Sequence, residues 1–234
     1  MNQLIPMLVA ELPRVGRCLE IGIGTGRMAL PLVRAGIDIV GVDISPAMLR
    51  KLVENARGEA PPLVVADATR LPFAAGSFEC AIAAHVFHLI AGWTTAVTEL
   101  ERVLIPGGVL LAARGDNARA EWQRRVRQRF FEEAAVPRWP PGMDRLEELD
   151  ALMAERGATV RRVPEIISHE TATIDSVVAT LESGTWSALW TVAPADLERA
   201  AAATRRWAGR EIGELDEPRD MDYASAWRAY ILAK

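Results

Sequence analysis

The chain has 234 residues, half of them hydrophobic and a quarter charged, with a net charge of −4 and a pI near 5.5. That size suits one domain, and the composition excludes a disordered, collagen-like or disulfide-stapled chain. Residues 1–114 balance at 10 basic and 10 acidic and residues 115–234 carry 17 and 21, so neither part is a basic module of the kind that binds nucleic acid or a membrane surface.

In chain order, Leu4, Leu8 and Leu12 at helical spacing predict a first helix, which Pro13 stops. Arg17–Ile21 reads as a short strand running into Gly22-Ile23-Gly24-Thr25-Gly26. Residues 28–34 read as a helix closed by Gly36, and residues 37–42 as a second strand ending at Asp43. Ser45 and Pro46 read as N-cap and first-turn proline of a helix reaching about Ala56. Residues 63–66 form a third predicted strand, ending at Asp67, and Phe78–Ala84 a fourth. A helix over 93–104, a turn at 106–108 and a fifth strand over 109–113 follow. Short apolar strands alternating with amphipathic helices predict a parallel sheet with helices on both faces.

Beyond Arg114 the pattern changes. Residues 117–135 read as a helix with Trp122, Val126 and Phe130 along one face. Asp144 and Glu147 read as a capping box opening a helix that Gly157 ends. Residues 159–168 read as a sixth strand, Ile174 to Leu181 as a helix, Pro194 to about Arg210 as another, and 223–233 as a final strand.

Cys18 and Cys80 lie in separate apolar strands and neither belongs to a CxxC pair, so buried thiols in a reducing compartment are expected. Met1-Asn2-Gln3 lacks the basic start of a secretory leader. The longest apolar run, Cys80 to Trp93, holds two histidines and is shorter than the roughly 20 residues a membrane helix needs. A soluble, cytoplasmic protein is expected, with no membrane partner.

The loop that starts at Glu20 sits between a strand and a helix. Glycines there let backbone approach a ligand closely, and the carboxyl ends of the strands in a doubly wound sheet are where ligands bind. The spacing is GxGxG with an acid two residues before the first glycine, unlike the GxGxxG of dinucleotide binders. Asp43, ending the second strand, suits a ribose diol, because a carboxylate accepts two O–H bonds. Asp67, ending the third, is placed to accept from an adenine amino group. The plain alternative is a loop that only packs tightly and an Asp43 that only caps a helix.

In these parts the sequence resembles the class I S-adenosylmethionine-dependent methyltransferases, in their small-molecule type 11 branch. The resemblance spans about residues 17–114 and is carried by CLEIGIGTGR, IVGVDIS, VVADATRLPFAAGSFECAIAAHVFHLI and LERVLIPGGVLL, in the family's order and spacing. It implies S-adenosylmethionine as cofactor. Glu20, Gly22, Gly24 and Gly26 would wrap its methionine part, Asp43 would hold the ribose, and Ile44 and Met48 would lie against the adenine. Asp67 and the backbone of Ala68 would read the adenine edge, and Ala84 and His85 would border the methyl group. Family members usually carry a longer N-terminal segment over the pocket. Only 16 residues precede the first strand here, which is expected to leave the site open on that side.

A sulfonium carries its own leaving group, so the protein mainly holds the nucleophile in line, an effect of about 7–11 kcal/mol. A base is needed only where the nucleophile arrives protonated. His85 is the candidate for cofactor or substrate contact, or for that base; His88 reads as a structural residue at a helix start. His169 is the third histidine and no carboxylate pattern completes a set with it, so no metal is expected.

The fourth-strand exit, AAHVFH, lacks the Asn/Asp-Pro-Pro-Tyr/Phe motif of amino-group nucleic-acid methyltransferases. Arg119, Arg124, Arg125, Arg127 and Arg129 read as the solvated basic face of a packed helix, so nucleic acid is not an expected partner. Six of the seven tryptophans lie beyond Arg114, where aromatic rings make apolar pocket walls. Trp186 and Trp190, four apart, share a face if helical and are the candidate substrate contacts.

The fold expected is α/β, a doubly wound, mostly parallel seven-stranded Rossmann-like sheet with helical insertions after strands five and six. One domain covers 1–234, with a cofactor-binding core at 1–114 and lid or substrate insertions within 115–222. The function expected is methyl transfer to a small-molecule acceptor at O, N or C. A non-catalytic S-adenosylmethionine-binding module and an NAD-dependent oxidoreductase are the alternatives, and the sequence does not fix the oligomeric state.

Overall fold

The computed structural model describes residues 3–13, 16–118, 120–136 and 142–233. Strands and helices alternate through α1 (Leu4–Glu11), β1 (Arg17–Ile21), α2 (Ala29–Arg34), β2 (Asp38–Asp43), α3 (Pro46–Ala56), β3 (Leu63–Val65), β4 (Phe78–Ala84), α4 (Trp93–Val103) and β5 (Leu104–Ala118). α3 starts where local chemistry demands it: the Ser45 side chain accepts from the Met48 N–H at 3.4 Å and Pro46 fills the first turn. β1 pairs with β2 and β4, β2 with β3, and β4 with β5, all in parallel. The order β3-β2-β1-β4-β5 winds outward in both directions from β1 and β4. The crevice between the carboxyl ends of those two strands is therefore the switch point where such sheets bind ligands.

The sheet continues with β8 (Arg219–Ile231) beside β5 and β6 (Thr159–Arg162) beside β8, while β7 (Ile166–Ala172) also pairs with β8. β6 and β8 are antiparallel. The sheet thus has eight strands and mixed direction, not the seven, mostly parallel strands expected from sequence. The extra strand arises because the run expected as one strand over 159–168 is interrupted at residues 163–165. Pro164 has no N–H for the ladder, so pairing stops there and restarts at Ile166. β5 is also longer than expected: it begins at Leu104 and carries the Pro106-Gly107-Gly108 segment as an irregularity in its pairing with β4.

Strand alternation sorts the core onto two faces. Leu19, Ile21, Val40, Val42, Ala81 and Ala83 pack on one face with α4 and with α6 (Leu146–Glu155). Cys18, Ile39, Cys80, Ile82 and Ala84 pack on the other with α1, α2 and α3. Cys18 and Cys80 stand in register on neighbouring strands as free, buried thiols. The Cys80 thiol bonded to it, together with burial, pushes the Cys18 thiol well above its ordinary range. At α6 the expected cap is one residue out. Glu148, not Glu147, reaches back to the N–H groups of Asp144 and Arg145, at 3.2 and 3.0 Å.

The chain divides into two compact units: Met1–Gly115, Pro140–Ile166 and Ala226–Lys234 form one, Asp116–Trp139 and Ile167–Ser225 the other. The second unit has its own core, built by α5 (Glu121–Glu133), α7 (Ile174–Glu182) and α8 (Pro194–Glu211) around Val126, Phe130, Val178, Leu181 and Ala201. Thr173 and Ser176 cap α7 reciprocally. Arg205 on α8 ties to Asp175 and Glu182 of α7 at 2.6 and 2.9 Å.

Candidate functional site

The glycine loop leaves β1 with Gly22, Gly24 and Gly26 at φ of 61°, 56° and 83°. At Gly22 a Cβ would stand 2.2 Å from the Val86 Cγ2, so only glycine fits under the β4 exit. Gly22→Ala is expected to destabilise the protein by roughly 2–5 kcal/mol, from overpacking and a left-handed backbone. Urea denaturation measures this, and an unchanged midpoint would show that Val86 moves aside freely. Gly24 differs: a Cβ there would meet nothing nearer than the Gly22 carbonyl at 3.9 Å, so its face of the loop is open.

The Gly24 N–H donates to Asp43 Oδ2 at 2.9 Å, and the Ser45 N–H to Asp43 Oδ1 at 2.8 Å. One carboxylate thereby ties the loop after β1 to the turn after β2. The Ala66 N–H donates to the Asp43 carbonyl at 3.2 Å and brings the end of β3 alongside. There Asp67 Oδ1 accepts from the N–H and the hydroxyl of Thr69, each at 2.8 Å, and shapes a turn. Ile44, next to Asp43, is 69% exposed, while Met48 is half-buried.

Glu20 is 2% exposed, and its Oε2 has no hydrogen-bond partner among the described residues. Burial pushes its carboxyl up to about 8, against the opposing pull of the Arg27 charge.

β4 ends at buried Ala84, in register with Ala113 of β5. The His85 N–H donates to the Ala113 carbonyl at 2.8 Å while its backbone turns to φ 55°, uncommon outside glycine. A short 3-10 turn, Phe87–Leu89, follows and carries His88. The Gly142 and Met143 N–H groups donate to the His88 and Phe87 carbonyls at 3.1 and 3.2 Å and pin this turn. Burial, then the charges of Arg114 and His85, bring the His88 imidazole down to about 4.

The structure therefore gathers Glu20, Gly22, Gly24, Gly26, Asp43, Ile44, Met48, Asp67, Ala68, Ala84 and His85 at the carboxyl ends of four adjacent strands. It does not treat Trp186 and Trp190 as one helical face. They flank a three-residue 3-10 turn, Ser187–Leu189. Trp186 packs edge-on against Phe131 and under Arg127, whereas Trp190 is 56% exposed. Four-residue spacing aligns side chains only on an α-helix, and none forms there.

Of the basic run of α5, Arg124 and Arg125 are exposed, as expected, whereas Arg127 and Arg129 are half-buried. Arg125 lies over Trp207, Arg127 over Trp186, and Arg129 pairs with Glu132 and Glu133. Arg119 and Trp139 lie outside the described residues. His169 pairs with Asp222 at 2.8 Å, and among the described residues no group of three or more His, Cys, Asp or Glu could hold a metal ion. Arg114, within β5, was not singled out from the sequence; its signal there is a lone charge directly after an apolar run.

Residues 19–112 match the family model of a methyltransferase domain. Over 100 residues the chain is 41% identical to a demethylmenaquinone methyltransferase of Thermus thermophilus, a match covering 41% of this chain and 45% of that one. The chain thus spans less than half the length of that relative. The fold likeness reaches further. YcgJ of Bacillus subtilis aligns over 100% of both chains with a TM-score of 0.66 at 19% identity. Phosphoethanolamine N-methyltransferase 2 of Haemonchus contortus, solved with phosphomonomethylethanolamine and S-adenosylhomocysteine, aligns over 100% of this chain and 53% of that one, with a TM-score of 0.58 at 18% identity. At such identities the likeness is one of fold.

The family's cofactor is S-adenosylmethionine, and the residues present fit it. The loop is open at Gly24, an exposed aliphatic side chain follows Asp43, and a buried carboxyl with an oxygen unpartnered among the described residues stands at the loop's root.

Proposed function

We propose that this protein transfers a methyl group from S-adenosylmethionine to a small organic acceptor, at O, N or C. The observation that supports this most is the Gly24–Asp43 tie within the matched segment, with the open face of the loop above it. The cofactor supplies an electrophilic methyl group on a sulfonium that leaves as a neutral thioether. In this reading the backbone of Gly22, Gly24 and Gly26 lies along the methionine portion. Asp43 accepts from the ribose hydroxyls with the lone pairs its two loop bonds leave. Ile44 and Met48 cover the adenine, and Asp67 with the Ala68 backbone reads its edge. Glu20 faces the positive end of the methionine part, and Ala84 and His85 border the methyl group. His85 takes a proton only from an acceptor that arrives protonated.

Acceptor choice belongs, in the same reading, to the insertions within residues 115–222, with Trp186 and Trp190 as candidate contacts. Supporting this, sequence identity to the Thermus relative covers only 41% of the chain, and that relative and the Haemonchus enzyme are named for different acceptors. A cytoplasmic setting suits two thiols that form no disulfide, and no helix among the described residues is long and apolar enough to cross a membrane.

The direct test is thermal. S-adenosylhomocysteine at 100 times its Kd is expected to stabilise the protein by about 2.7 kcal/mol, a clear rise in Tm, and NAD is expected to give none. A shift with NAD and none with S-adenosylhomocysteine overturns the reading. Cofactor binding without transfer of labelled methyl to any acceptor in a broad panel favours a non-catalytic module.

A further inference from the structure

Where β4 ends against β5 stand two polar groups that the cofactor reading does not use. Ala84 and Ala113 are in register, and the His85 N–H is bonded to the Ala113 carbonyl, so β4 ends level with Ala113 while β5 runs on. Directly beyond, Arg114 and the pinned 3-10 turn bearing His88 come within reach of each other's charge. The Nδ1 of His88 and the Nε of Arg114 are both buried, and neither has a hydrogen-bond partner among the described residues. Buried polar atoms are nearly always bonded, and exceptions call for a physical account such as a ligand.

The charge of Arg114 is only loosely met. Among the described residues its carboxylate partner is Asp144, 3.7 Å away, beyond hydrogen-bond distance, on a side chain 71% exposed. At neutral pH His88 is uncharged, since burial and Arg114 hold its imidazole near 4. It therefore offers one N–H donor and one acceptor nitrogen. A guanidinium fork within electrostatic reach of a neutral imidazole donor suits a planar anionic oxygen group. One cation, partly offset by Asp144, balances a single negative charge and not a dianion.

We propose that Arg114 and His88 hold an acidic oxygen of the methyl acceptor, so that the acceptor is a monoanionic organic acid, carrying a carboxylate, phenolate or enolate. This inference rests on the methyltransferase reading and names the substrate class of that same site. Arg114 anchors the anion and His88 donates to it. His88 needs no protonation change in this role.

The test uses the full chain loaded with S-adenosylhomocysteine. Benzoate, 2-naphthoate and octanoate are the probes, each compared with its neutral amide, and binding is read as a shift in Tm and by calorimetry. At least one acid is expected to stabilise the loaded protein where its amide does not. Arg114→Gln is expected to weaken that acid by roughly 10- to 150-fold, the range for losing a hydrogen bond to a charged group. His88→Asn, which leaves the charge of Arg114 in place, is expected to weaken it by a smaller factor.

Affinity for S-adenosylhomocysteine is the control and is expected to be unchanged in both variants, which also reports that they fold. If Arg114→Gln does not fold, His88→Asn carries the comparison. Equal binding of acid and amide overturns the proposal, as does no shift with any acid, or acid preference persisting in the variants. Failure of the wild-type chain to bind S-adenosylhomocysteine overturns instead the methyltransferase reading on which the proposal stands.

Discussion

Glu20→Gln raises the Tm of the ligand-free protein at pH 8 and flattens its dependence on pH. Glu20 is buried, with an oxygen that has no partner among the described residues, and burial lifts its carboxyl from the ordinary 4.5 to about 8. In the unfolded chain the same group ionises near its ordinary value. A folded pKa above the unfolded one means that the folded state binds the extra proton. Glu20's contribution to stability is therefore fully present below about pH 4.5 and is lost as the pH rises through about 8. Across that window the slope approaches about 1.4 kcal/mol per pH unit for a single group. Glutamine cannot ionise, so the slope attributable to this site vanishes, and at pH 8 the variant gains up to a few kcal/mol.

The same substitution is expected to weaken S-adenosylhomocysteine, because a neutral amide cannot answer the cationic end of the methionine part. Stability and affinity then move in opposite directions, which a general packing defect does not produce. Thermal denaturation from pH 5 to 8, with calorimetry at pH 7.5, reads both. A Tm that falls at pH 8 shows that the carboxylate is stabilised in the folded state by a bond the substitution removes, and the argument from burial fails.

The first unit was largely legible in the sequence because its signals are local and repeated. Each strand is a short apolar run, each of the first two ends in a glycine or an acid, and Ser45-Pro46 announces its helix within two residues. The cofactor candidates follow from the same rule, since residues at the ends of consecutive parallel strands are neighbours by topology. The separate strand β7 was less visible. Pro164 was there to be read as a break, but the apolar and β-branched residues on both sides of it make one run to a reader who weighs only hydrophobic pattern.

The shared helical face expected for Trp186 and Trp190 is not formed, for a related reason. Spacing carries facial information only when the period is known, and the chain there closes a single 3-10 turn. Arg114 and His88 lie far apart in sequence, and only the parallel pairing of β4 with β5 makes them neighbours. A long-range pair of this kind leaves no local pattern. It shows only as two polar atoms buried without partners among the described residues.

Asp43→Ala is expected to weaken S-adenosylhomocysteine by about 1.5–3 kcal/mol, the range for hydrogen bonds to a charged group, while the fold survives. The carboxylate has two tasks that must be separated. In the ligand-free protein it accepts from the Gly24 and Ser45 N–H groups, so its loss also loosens the loop and lowers Tm. Ser45→Ala supplies the comparison. It removes the side chain that caps α3 at the Met48 N–H and is expected to cost about 1 kcal/mol of stability, but it leaves both oxygens of Asp43 in place. Its affinity for S-adenosylhomocysteine is therefore expected to stay within a few-fold of wild type. The two variants together distinguish loss of a ligand contact from loss of local order. If Ser45→Ala weakens the ligand as much as Asp43→Ala does, the turn after β2 acts through its rigidity, and Asp43 is a cap that shapes the site without touching the ribose. If Asp43→Ala alone weakens it, and calorimetry shows the deficit as lost enthalpy at an unchanged stoichiometry, the carboxylate holds the ligand directly.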